Sequence, residues 1–542
     1  MGLMKVHEAI ARALADNGVD TVFGLIGEAN LYLTNSYIND CGGKYVAAAN
    51  EAGATLMALG YAALSGRVGV CTVTLGPALT NTMTALVEGV KASLPIVLLC
   101  GDTPVEDRDG IQSVNQREFI MATGAGIEQL RSARTVAQDV ATALRRAIVE
   151  RRPVVLNMPV DLQWQEVDYQ PVRCQVPAPS MAPASGEAFD NAIGIIAAAS
   201  RPVIVAGRGA TAPQAKQAIL RLAERIGAPV ATTLKARDLF RDEPFNLGIC
   251  GTLSNDTTTE ILIESDCLIS FGASLNILTT SHGSFLKGKR IIQVNSDSPD
   301  VGKFAPVDAG LTGDPAATAD LMVHWLDEAE IPSSHFCDDN LKARLTEQTT
   351  SQIPEGEDGE GTVDFRQAMW RLDQALPADR VLVTDGGRFG RYTWKNFGAS
   401  GPDSFLQTTN FGSIGLGMGA AIGASVADPS RTIVLVTGDG GFMNGGLAEF
   451  NTAVRYKSNL IVILCNDGCY GAEHLHFQRR GIDPAISLLD WPEFAPVAVA
   501  LGGEGVTVRS PEDFALVEEA LVRRRGPLLI DVKLDPARMP ES

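Results

Sequence analysis

Thr437–Tyr470 reads TGDGGFMNGGLAEFNTAVRYKSNLIVILCNDGCY, and this stretch decides the fold. An apolar run, TIVLVT, ends at Thr437, and a second one, LIVILC, comes near the end of the stretch. Apolar residues at helical spacing lie between them, so the pattern predicts strand, glycine turn, helix and strand. Asp439 and Asn466 each follow one strand. We expect both at the carboxyl edge of a parallel sheet, where α/β proteins bind ligands.

The glycine turn and its two polar neighbours suit a magnesium ion held against phosphate groups. Mg²⁺ takes oxygen ligands and is usually shared between one or two carboxylates and a phosphate. Asp439 offers a carboxylate and Asn466 an amide oxygen. A GDG turn alone is a weak signal, because most such turns are plain βα connections.

The spacing of the motif adds to this interpretation. A GDG turn, 25 residues and a strand-ending asparagine resemble the motif of the thiamine diphosphate (ThDP) enzymes. The resemblance implies that Asp439, Asn466 and the carbonyl of Gly468 bind Mg²⁺. It also implies that a set of turn residues contacts the cofactor: Gly438, Asp439, Gly440, Gly441, Asn466, Gly468 and Tyr470. Cys465 stands where the family usually has another asparagine.

The composition is that of an ordinary globular protein of two to four domains, with 542 residues and 45% hydrophobic residues. The net charge of −19 argues against a nucleic-acid partner. The nine cysteines form no CxxC pair, so neither zinc nor a disulfide framework is predicted. We find no leader pattern and no apolar run near the roughly 18 residues of a membrane span. We therefore expect a cytoplasmic protein without a membrane partner.

Glu51 is the first candidate for catalysis. It follows a predicted strand, Tyr45–Ala49, and begins a helix rich in small residues. A glutamate at a helix N-terminus can be merely stabilising. However, a carboxyl between a buried strand and an almost uncharged helix should have a raised pKa, which is a property of catalytic groups.

Three segments that contain or follow Glu51 give further evidence on its role: NEAGATLMALGYAALSG, VTLGPALTNTMTAL and PIVLLCGDTP. Together they resemble the pyrimidine-binding domain of acetolactate synthase, benzaldehyde lyase and their relatives. The resemblance implies that Glu51 protonates N1′ of the cofactor's aminopyrimidine ring. Asn50 stands where a histidine is common in the family.

Two further candidates concern the substrate. FGLIGEANL resembles a turn of pyruvate-decarboxylase-like enzymes whose acidic residue contacts the substrate, which implies that role for Glu28; the alternative is a solvated turn acid. The histidine pair of those decarboxylases is missing, and the segment reads DGIQSVNQREF instead. Synthase and lyase relatives place a glutamine near here. Gln112 and Gln116 both fit this position, and we favour Gln116; the alternative is an exposed loop amide without such a role.

The last part of the chain contains two more glycine turns. DGGRFGRY follows a strand, and such a turn can offer N–H groups to a phosphate, so Gly387 and Arg388 are candidates for the diphosphate. TNFGSIGLGMGAAIGA resembles the family's GSIG turn. The resemblance implies that Ile414 wedges under the cofactor and imposes its V shape. It also implies that the Gly412 carbonyl meets the 4′-amino group.

The fold class predicted is α/β, with three consecutive doubly wound parallel-sheet domains. We place a pyrimidine-binding domain at 1–165, a central domain at 186–330 and a diphosphate-binding domain at 361–542. Linkers are expected at 167–186 and 333–361, the second ending in an acidic run. The endings RRPVVLNMP and RRGPLLIDV, each after a helix, indicate an internal duplication of the outer domains.

The central domain could hold a nucleotide, as it does in some relatives. Gly207–Gly209 and Gly272–Asn276 stand at strand ends suited to FAD or an adenine nucleotide. The run of arginine and aspartate typical of FAD-binding synthases is absent. GASLN is similar to the GARLN run of 2-hydroxyacyl-CoA lyase and oxalyl-CoA decarboxylase, without its arginine. We favour a structural domain, so FAD is possible but not favoured.

The resemblance implies a ThDP- and Mg²⁺-dependent enzyme that makes or cleaves a bond next to a carbonyl, with a 2-oxo acid or 2-hydroxy ketone as substrate. A carboligase or lyase like acetolactate synthase or benzaldehyde lyase ranks first. A simple 2-oxo acid decarboxylase, a 2-hydroxyacyl-CoA lyase and a non-catalytic ThDP-binding paralogue are the alternatives. The family also implies a homodimer or homotetramer, in which Glu51 of one subunit meets the cofactor held by Asp439 of the other.

Overall fold

The computed structural model describes residues 3–104, 109–176, 182–348 and 354–540. The chain divides into two compact units. Residues 1–177, 354–393 and 406–542 form the first unit, and residues 178–353 and 394–405 form the second. Two of the six-stranded sheets belong to the first unit and one to the second.

The first domain contains a parallel sheet in the order β3-β2-β4-β5-β7-β6 and an antiparallel pair of β1 and β8. Its strands are β1 Leu3–Lys5, β2 Thr21–Gly24, β3 Lys44–Ala47, β4 Gly69–Val73, β5 Ile96–Asp102, β6 Gly126–Gln129, β7 Val154–Pro159 and β8 Glu166–Asp168. Its helices are α1 Val6–Asp16, α2 Leu31–Asn39, α3 Glu51–Ser65, α4 Pro77–Asn81, α5 Met83–Ala92, α6 Gln116–Thr123, α7 Val136–Glu150 and α8 Val160–Gln163.

The central domain has the strand order β11-β10-β9-β12-β13-β14, which is the 3-2-1-4-5-6 order of dinucleotide-binding folds. Its strands are β9 Pro202–Ala206, β10 Val230–Thr232, β11 Asn246–Ile249, β12 Cys267–Phe271, β13 Arg290–Asn295 and β14 Ala309–Thr312. Its helices are α9 Glu187–Ala198, α10 Pro213–Ile226, α11 Asp256–Glu264, α12 Pro315–Glu328 and α13 Asp339–Gln348.

The third domain contains the sheet β16-β15-β17-β18-β20-β19. Its strands are β15 Arg380–Thr384, β16 Phe405–Gln407, β17 Thr432–Gly438, β18 Leu460–Asn466, β19 Glu504–Val508 and β20 Leu528–Lys533. Its helices are α14 Phe365–Ala375, α15 Gly390–Asn396, α16 Gly417–Ala427, the single turn α17 Asp439–Gly441, α18 Leu447–Arg455, α19 Gly471–Arg479, α20 Phe494–Ala500 and α21 Phe514–Arg523.

The first and third domains have the same sheet topology. Numbered from the first strand of each sheet, both have the order 2-1-3-4-6-5. The shared strand order is compatible with the internal duplication predicted from the two similar chain endings. Because β4 corresponds to β17 and β5 to β18, equivalent loops of the two domains can be compared directly.

Helices α3 and α16, which are equivalent in the two copies, pack against each other within the first unit. Glycines allow the close approach: a Cβ on Gly60 would lie 2.0 Å from the carbonyl oxygen of Ala420. On the other helix, a Cβ on Gly423 would lie 1.9 Å from the carbonyl oxygen of Met57. Buried residues of both domains form one apolar cluster around this contact. The helix that begins at Glu51 is therefore anchored by the third domain.

The two predicted linkers differ from the structure. Residues 166–168 form strand β8, and Val167 and Tyr169 are buried against the first sheet, so the first linker begins later than predicted. The second linker contains helix α13, whose Leu341 and Leu345 are buried in the central domain. Residues 177–181 and 349–353 of these linkers lie outside the described part. In the described part of the chain, every helix is too short or too polar to cross a membrane.

Candidate active site

The predicted magnesium ligands lie together at the carboxyl edge of the third sheet. In the pairing of β17 with β18, Gly438 lies opposite Cys465, so Asp439 and Asn466 follow side by side on neighbouring strands. The chain after Asp439 forms one helical turn and then a π-helical turn over Phe442–Gly446. Such turns are frequent at functional sites.

Asp439 is buried and only partly satisfied. Its Oδ1 accepts a hydrogen bond from the N–H of Gly440 at 2.7 Å. Its Oδ2 is buried and has no hydrogen-bond partner among the described residues. Burial, and next the neighbouring Asp467 carboxylate, raise the pKa of Asp439 to about 7. A cation beside Oδ2 would offset both effects, so the carboxylate fits a metal ligand.

Asn466 is held in one orientation by Asp531, a fully buried residue of β20. The Asn466 Nδ2 atom donates to Asp531 Oδ1 at 2.9 Å. A carboxylate only accepts hydrogen bonds, so the amide nitrogen must face Asp531 and the amide oxygen must face away from it. Lys533 Nζ, at 3.0 Å, and the N–H of Phe494, at 3.2 Å, contact the other oxygen of Asp531. Asp531 thus presents the oxygen of Asn466 as a possible metal ligand.

Gly468 adopts the left-handed conformation, with φ at 62°. Its carbonyl accepts from the N–H of Leu489 at 2.7 Å, which leaves the second lone pair of the oxygen for a cation. Asp467, between the two predicted ligands, is buried, and burial raises its pKa to about 6. The three predicted donors are all oxygens, which is the set that Mg²⁺ or Ca²⁺ prefers.

Asp385 joins three loops of this edge. It is buried at the end of β15, and its Oδ2 accepts from the N–H of Gly415 at 3.0 Å and from Thr437 Oγ1 at 3.1 Å. The turn that carries Ile414 is therefore fixed to the strand that precedes Asp439. Ile414 is half-buried, and a Cβ on Gly386 would lie 3.4 Å from its Cγ2.

The glycines of these turns allow neighbouring groups to lie close to the backbone, where a side chain would collide with them. A Cβ on Gly440 would lie 2.7 Å from the ring of Tyr470, and one on Gly441 would lie 3.1 Å from Asp385 Oδ2. Gly412, with φ at 83°, is exposed before Ile414. These positions are compatible with the predicted cofactor contacts, which remain predictions.

The contacts of Arg388 differ from its predicted role. Its guanidinium is buried and donates to the carbonyls of Met539, Pro536 and Pro540, at 2.6, 2.9 and 3.2 Å. These bonds fasten the segment 536–540 to the turn after β15. We therefore assign Arg388 to holding this segment rather than to the diphosphate. Gly387, which precedes it, is exposed at the same edge and stays a candidate.

Glu51 begins α3 at the carboxyl edge of the first sheet. Asn50 caps the helix, because its side chain accepts from the N–H of Ala52 at 2.8 Å. The carboxylate of Glu51 is half-buried and accepts from Asn81 Nδ2 at 3.0 Å. In the single chain, this carboxylate is therefore more accessible to solvent than its apolar sequence neighbours suggest.

Glu28 and Gln116 have opposite environments. Glu28 is exposed in the turn after β2, where Asn30 Oδ1 accepts from the N–H of Gly27 at 2.7 Å. Gln116 is buried, and its amide is used within the chain. Its Oε1 accepts from the N–H of Gly76 at 2.8 Å, and its Nε2 donates to the carbonyl of Gly101 at 2.9 Å.

The contacts of Gln116 contradict its prediction as the substrate-facing glutamine. They fasten the loop after β4 to the end of β5, which is a supporting role. Gln112, the other residue considered for this role, is exposed in the loop after β5. Gln112 therefore replaces Gln116 as the candidate for contact with the substrate.

The two glycine turns of the central domain contact each other. The N–H of Gly207 donates to the carbonyl of Phe271 at 2.8 Å, and the N–H of Gly209 donates to that of Gly272 at 3.0 Å. A Cβ on Gly207 would lie 2.4 Å from the Gly272 carbonyl oxygen. These two N–H groups are therefore used within the turns themselves.

Comparisons with known proteins identify the family to which the chain belongs. Residues 4–122 match the family described as "Thiamine pyrophosphate enzyme, N-terminal TPP binding domain", and residues 385–532 match its "C-terminal TPP binding domain". Residues 189–322 match its "central domain". The chain therefore belongs to the thiamine pyrophosphate enzymes, which use thiamine diphosphate, the same compound under another name.

Curated relatives match almost the whole chain. A probable acetolactate synthase large subunit of Methanocaldococcus jannaschii is 27% identical, and the alignment covers 98% of this chain and 92% of the relative. The acetolactate synthase isozyme 2 large subunit of Escherichia coli K12 is also 27% identical, with 97% and 95% covered. A sulfoacetaldehyde acetyltransferase of Castellaniella defragrans is 29% identical, with 94% and 89% covered.

Five buried acids at or near the site are not among the residues predicted from the sequence: Glu88, Asp385, Glu449, Asp467 and Asp531. Two of them could have been predicted from the sequence pattern, because Asp385 and Asp467 each directly follow a buried strand. Asp531 has a weaker one, since a lone charge inside an apolar strand needs a partner. Glu88 and Glu449 lie on helices, where a glutamate is ordinary, and their partners are far away in the chain.

Asp531→Ala should weaken Mg²⁺ binding although the residue is not a predicted ligand. Without its acceptor, the Asn466 amide is free to turn, and losing such an outer partner costs about 10- to 100-fold in metal affinity. The unpaired groups left behind should cost about 1–3 kcal/mol of unfolding free energy. Mg²⁺ titration of ThDP binding measures the first effect. Lys533→Ala is the control, because it removes an ion-pair partner of Asp531 and leaves the bond to Asn466. Equal Mg²⁺ affinity in both variants would exclude the orienting role.

Proposed function

We propose that this chain is a Mg²⁺-dependent ThDP enzyme that forms or cleaves a carbon–carbon bond next to a carbonyl. The observation that carries the proposal is the unpartnered buried oxygen of Asp439 beside the oriented amide of Asn466. A site of this kind suits a hard cation that anchors a diphosphate. The names of the relatives support acetolactate-synthase-like chemistry on a 2-oxo acid.

The residues of the chain have separate tasks in this proposal. Asp439, Asn466 and the Gly468 carbonyl would hold Mg²⁺, and the turn with Ile414 would contact the cofactor. Glu51 holds and returns a proton at the pyrimidine ring. When bound, ThDP supplies the electron sink next to the substrate carbonyl. Glu28 and Gln112 are exposed at the edge of the first sheet and are candidates for contact with the substrate.

A second candidate function is acyl transfer to an acceptor other than a 2-oxo acid. The relative named sulfoacetaldehyde acetyltransferase favours it, since its identity to this chain is as high as that of the acetolactate synthases. A simple decarboxylase and a CoA-ester lyase are weaker alternatives. The exposure of Glu28 is compatible with the former, and the self-bonded turns of the central domain argue against a nucleotide-type ligand there.

The assembly proposed is a homodimer or a larger homo-oligomer with each active site shared between subunits. Among the described residues, the hydrogen-bond partner of the Glu51 carboxylate is Asn81, from its own domain. The half-exposed carboxylate thus leaves a surface for a second chain. This arrangement would supply the desolvated environment that the single chain lacks.

Turnover of the purified protein with ThDP and Mg²⁺ tests the proposal. The substrates are pyruvate, benzoylformate, benzoin, sulfoacetaldehyde with pyruvate or phosphate, and a 2-hydroxyacyl-CoA, each scored for CO₂, aldehyde and coupled product. We expect a coupled ketone from pyruvate. CO₂ with free aldehyde alone would favour the decarboxylase, and acetyl transfer that requires sulfoacetaldehyde would favour the second candidate. Turnover that is unchanged without ThDP and Mg²⁺ would contradict the proposal.

A further inference from the structure

Two buried glutamates connect the outer domains in a reciprocal way. Glu88, on α5, is 3% exposed, and Glu449, on α18, is 1% exposed. Helix α5 lies between β4 and β5, and α18 lies between the equivalent strands β17 and β18. Each carboxylate accepts hydrogen bonds from the domain to which it does not belong.

Glu449 binds the backbone directly before Glu51. Its carboxylate accepts from the N–H of Ala49 at 3.1 Å and from that of Asn50 at 3.0 Å. It lies against the first turn of α3, where a Cβ on Gly53 would be 2.0 Å from Glu449 Oε1. The loop that presents Glu51 is thus held by a charged acceptor from the third domain.

Glu88 does the same for the turn before Ile414. Its Oε1 accepts from Asn410 Nδ2 at 2.6 Å and from the Asn410 N–H at 3.2 Å. Its Oε2 accepts from the N–H of Phe411 at 2.7 Å. This loop leads into α16, the counterpart of α3, so both carboxylates hold equivalent positions of the duplicated fold.

We propose that Glu88 and Glu449 are positioning residues, each of which fixes a cofactor-facing loop of the other domain. Glu449 fixes the position of the loop before Glu51, and Glu88 fixes the position of the turn that contains Gly412 and Ile414. The inference rests on the proposed function, since it takes Glu51 and Ile414 to face the cofactor. Hydrogen bonds to an ionised carboxylate are stronger and more directional than neutral ones. Catalytic groups also tolerate little displacement, since about 1 Å can cost 10²-fold in rate.

Glu449→Gln tests the inference with two readouts. In the protein without cofactor, amide hydrogen exchange of a peptide spanning 47–53 should accelerate at least about tenfold, because the charged acceptor is lost. With ThDP bound, the turnover number should fall about 10- to 100-fold while KM and the ThDP dissociation constant stay within about threefold. Glu88→Gln should accelerate amide hydrogen exchange at 410–412 in the same way. Exchange at 47–53 should stay as slow in this variant as in the wild type.

Asp139→Asn is the matched control. Asp139 is also a buried acid, and it accepts from the N–H of Arg131 at 3.0 Å and from Thr135 Oγ1 at 2.8 Å, inside the first domain. Its variant should lose comparable thermal stability and retain the wild-type turnover number. A similar fall in turnover for Asp139→Asn would mean that general destabilisation explains the effect and would overturn the inference.

Two further outcomes would overturn it: unchanged exchange at 47–53, or faster exchange with unchanged turnover. If Glu449→Gln does not fold, Glu449→Asp keeps the charge with a shorter reach and should show the same two changes at a smaller size. Hydrogen–deuterium exchange at C2 of bound ThDP requires no substrate and replaces turnover if the wild type is inactive on every substrate tested. Failure of the proposed substrate class is thereby distinguished from failure of this inference.

Discussion

Glu51→Gln should reduce turnover by about 10²- to 10⁴-fold, which is the usual contribution of a general acid or base. Glutamine has the same shape and can still accept from Asn81, but it carries no transferable proton. ThDP and Mg²⁺ binding should be retained, because the predicted ligands lie in the third domain. Steady-state turnover together with calorimetric titration of ThDP separates the two effects.

The stability of this variant should change little. A negative charge at a helix N-terminus is worth about 0.3–1 kcal/mol, so its loss cannot unfold the protein. Glu187→Gln is the matched control, because Glu187 begins α9 in the same way and lies in the central domain. Wild-type turnover in Glu51→Gln would contradict the assignment and make Glu28 the next candidate.

The parts of the fold that depend on local pattern could be predicted from the sequence. The stretch around Asp439 predicted strand, turn, helix and strand, and the structure has β17, the turns after it, α18 and β18. Periodicity and glycine turns are local properties, so they survive in any tertiary context. The duplication was readable for the same reason, since both copies end in the same helix–strand pattern.

The support of the site could not be predicted, because it depends on contacts between distant segments. The sequence predicts that Gln116 faces the substrate, but α6 begins at this residue and its buried amide bonds to the backbone of Gly76 and Gly101. Arg388 looked like a phosphate ligand, but a segment about 150 residues later uses its guanidinium. In both cases the sequence predicts that a polar side chain contacts a ligand, whereas in the structure the side chain makes its hydrogen bonds to other parts of the chain.

The same reason explains the environment of Glu51. Its sequence neighbours predicted a desolvated carboxyl, since the strand before it and the helix after it are apolar. The structure buries the helix from Gly53 to Ala62 and leaves Glu51 and Ala52 half-exposed. Burial of a helix terminus depends on the segments that pack against it. In the proposed assembly, the second subunit would pack against the terminus that carries Glu51.

Asp439→Asn should weaken Mg²⁺ binding more than the roughly 10- to 100-fold expected for loss of an outer partner, because the ligand itself is changed. The variant without cofactor should be at least as stable as the wild type. Burial and the neighbouring Asp467 raise the pKa of Asp439, so a neutral amide removes a buried charge that lacks compensation. Thermal unfolding with and without Mg²⁺ and ThDP tests both parts. A variant that binds Mg²⁺ like the wild type would exclude Asp439 as a ligand.

An equimolar mixture of the Asp439→Asn variant and the Glu51→Gln variant tests whether the active site is shared between two subunits. If each site uses Glu51 of one subunit and Asp439 of the other, a mixed dimer of the two variants contains one intact site and one doubly altered site. Random reassociation makes half of the dimers mixed, so the mixture should recover about a quarter of the wild-type activity. If both residues serve the same site from one chain, every site of every dimer carries a substitution. The mixture would then stay as inactive as its components, and the shared site would be excluded.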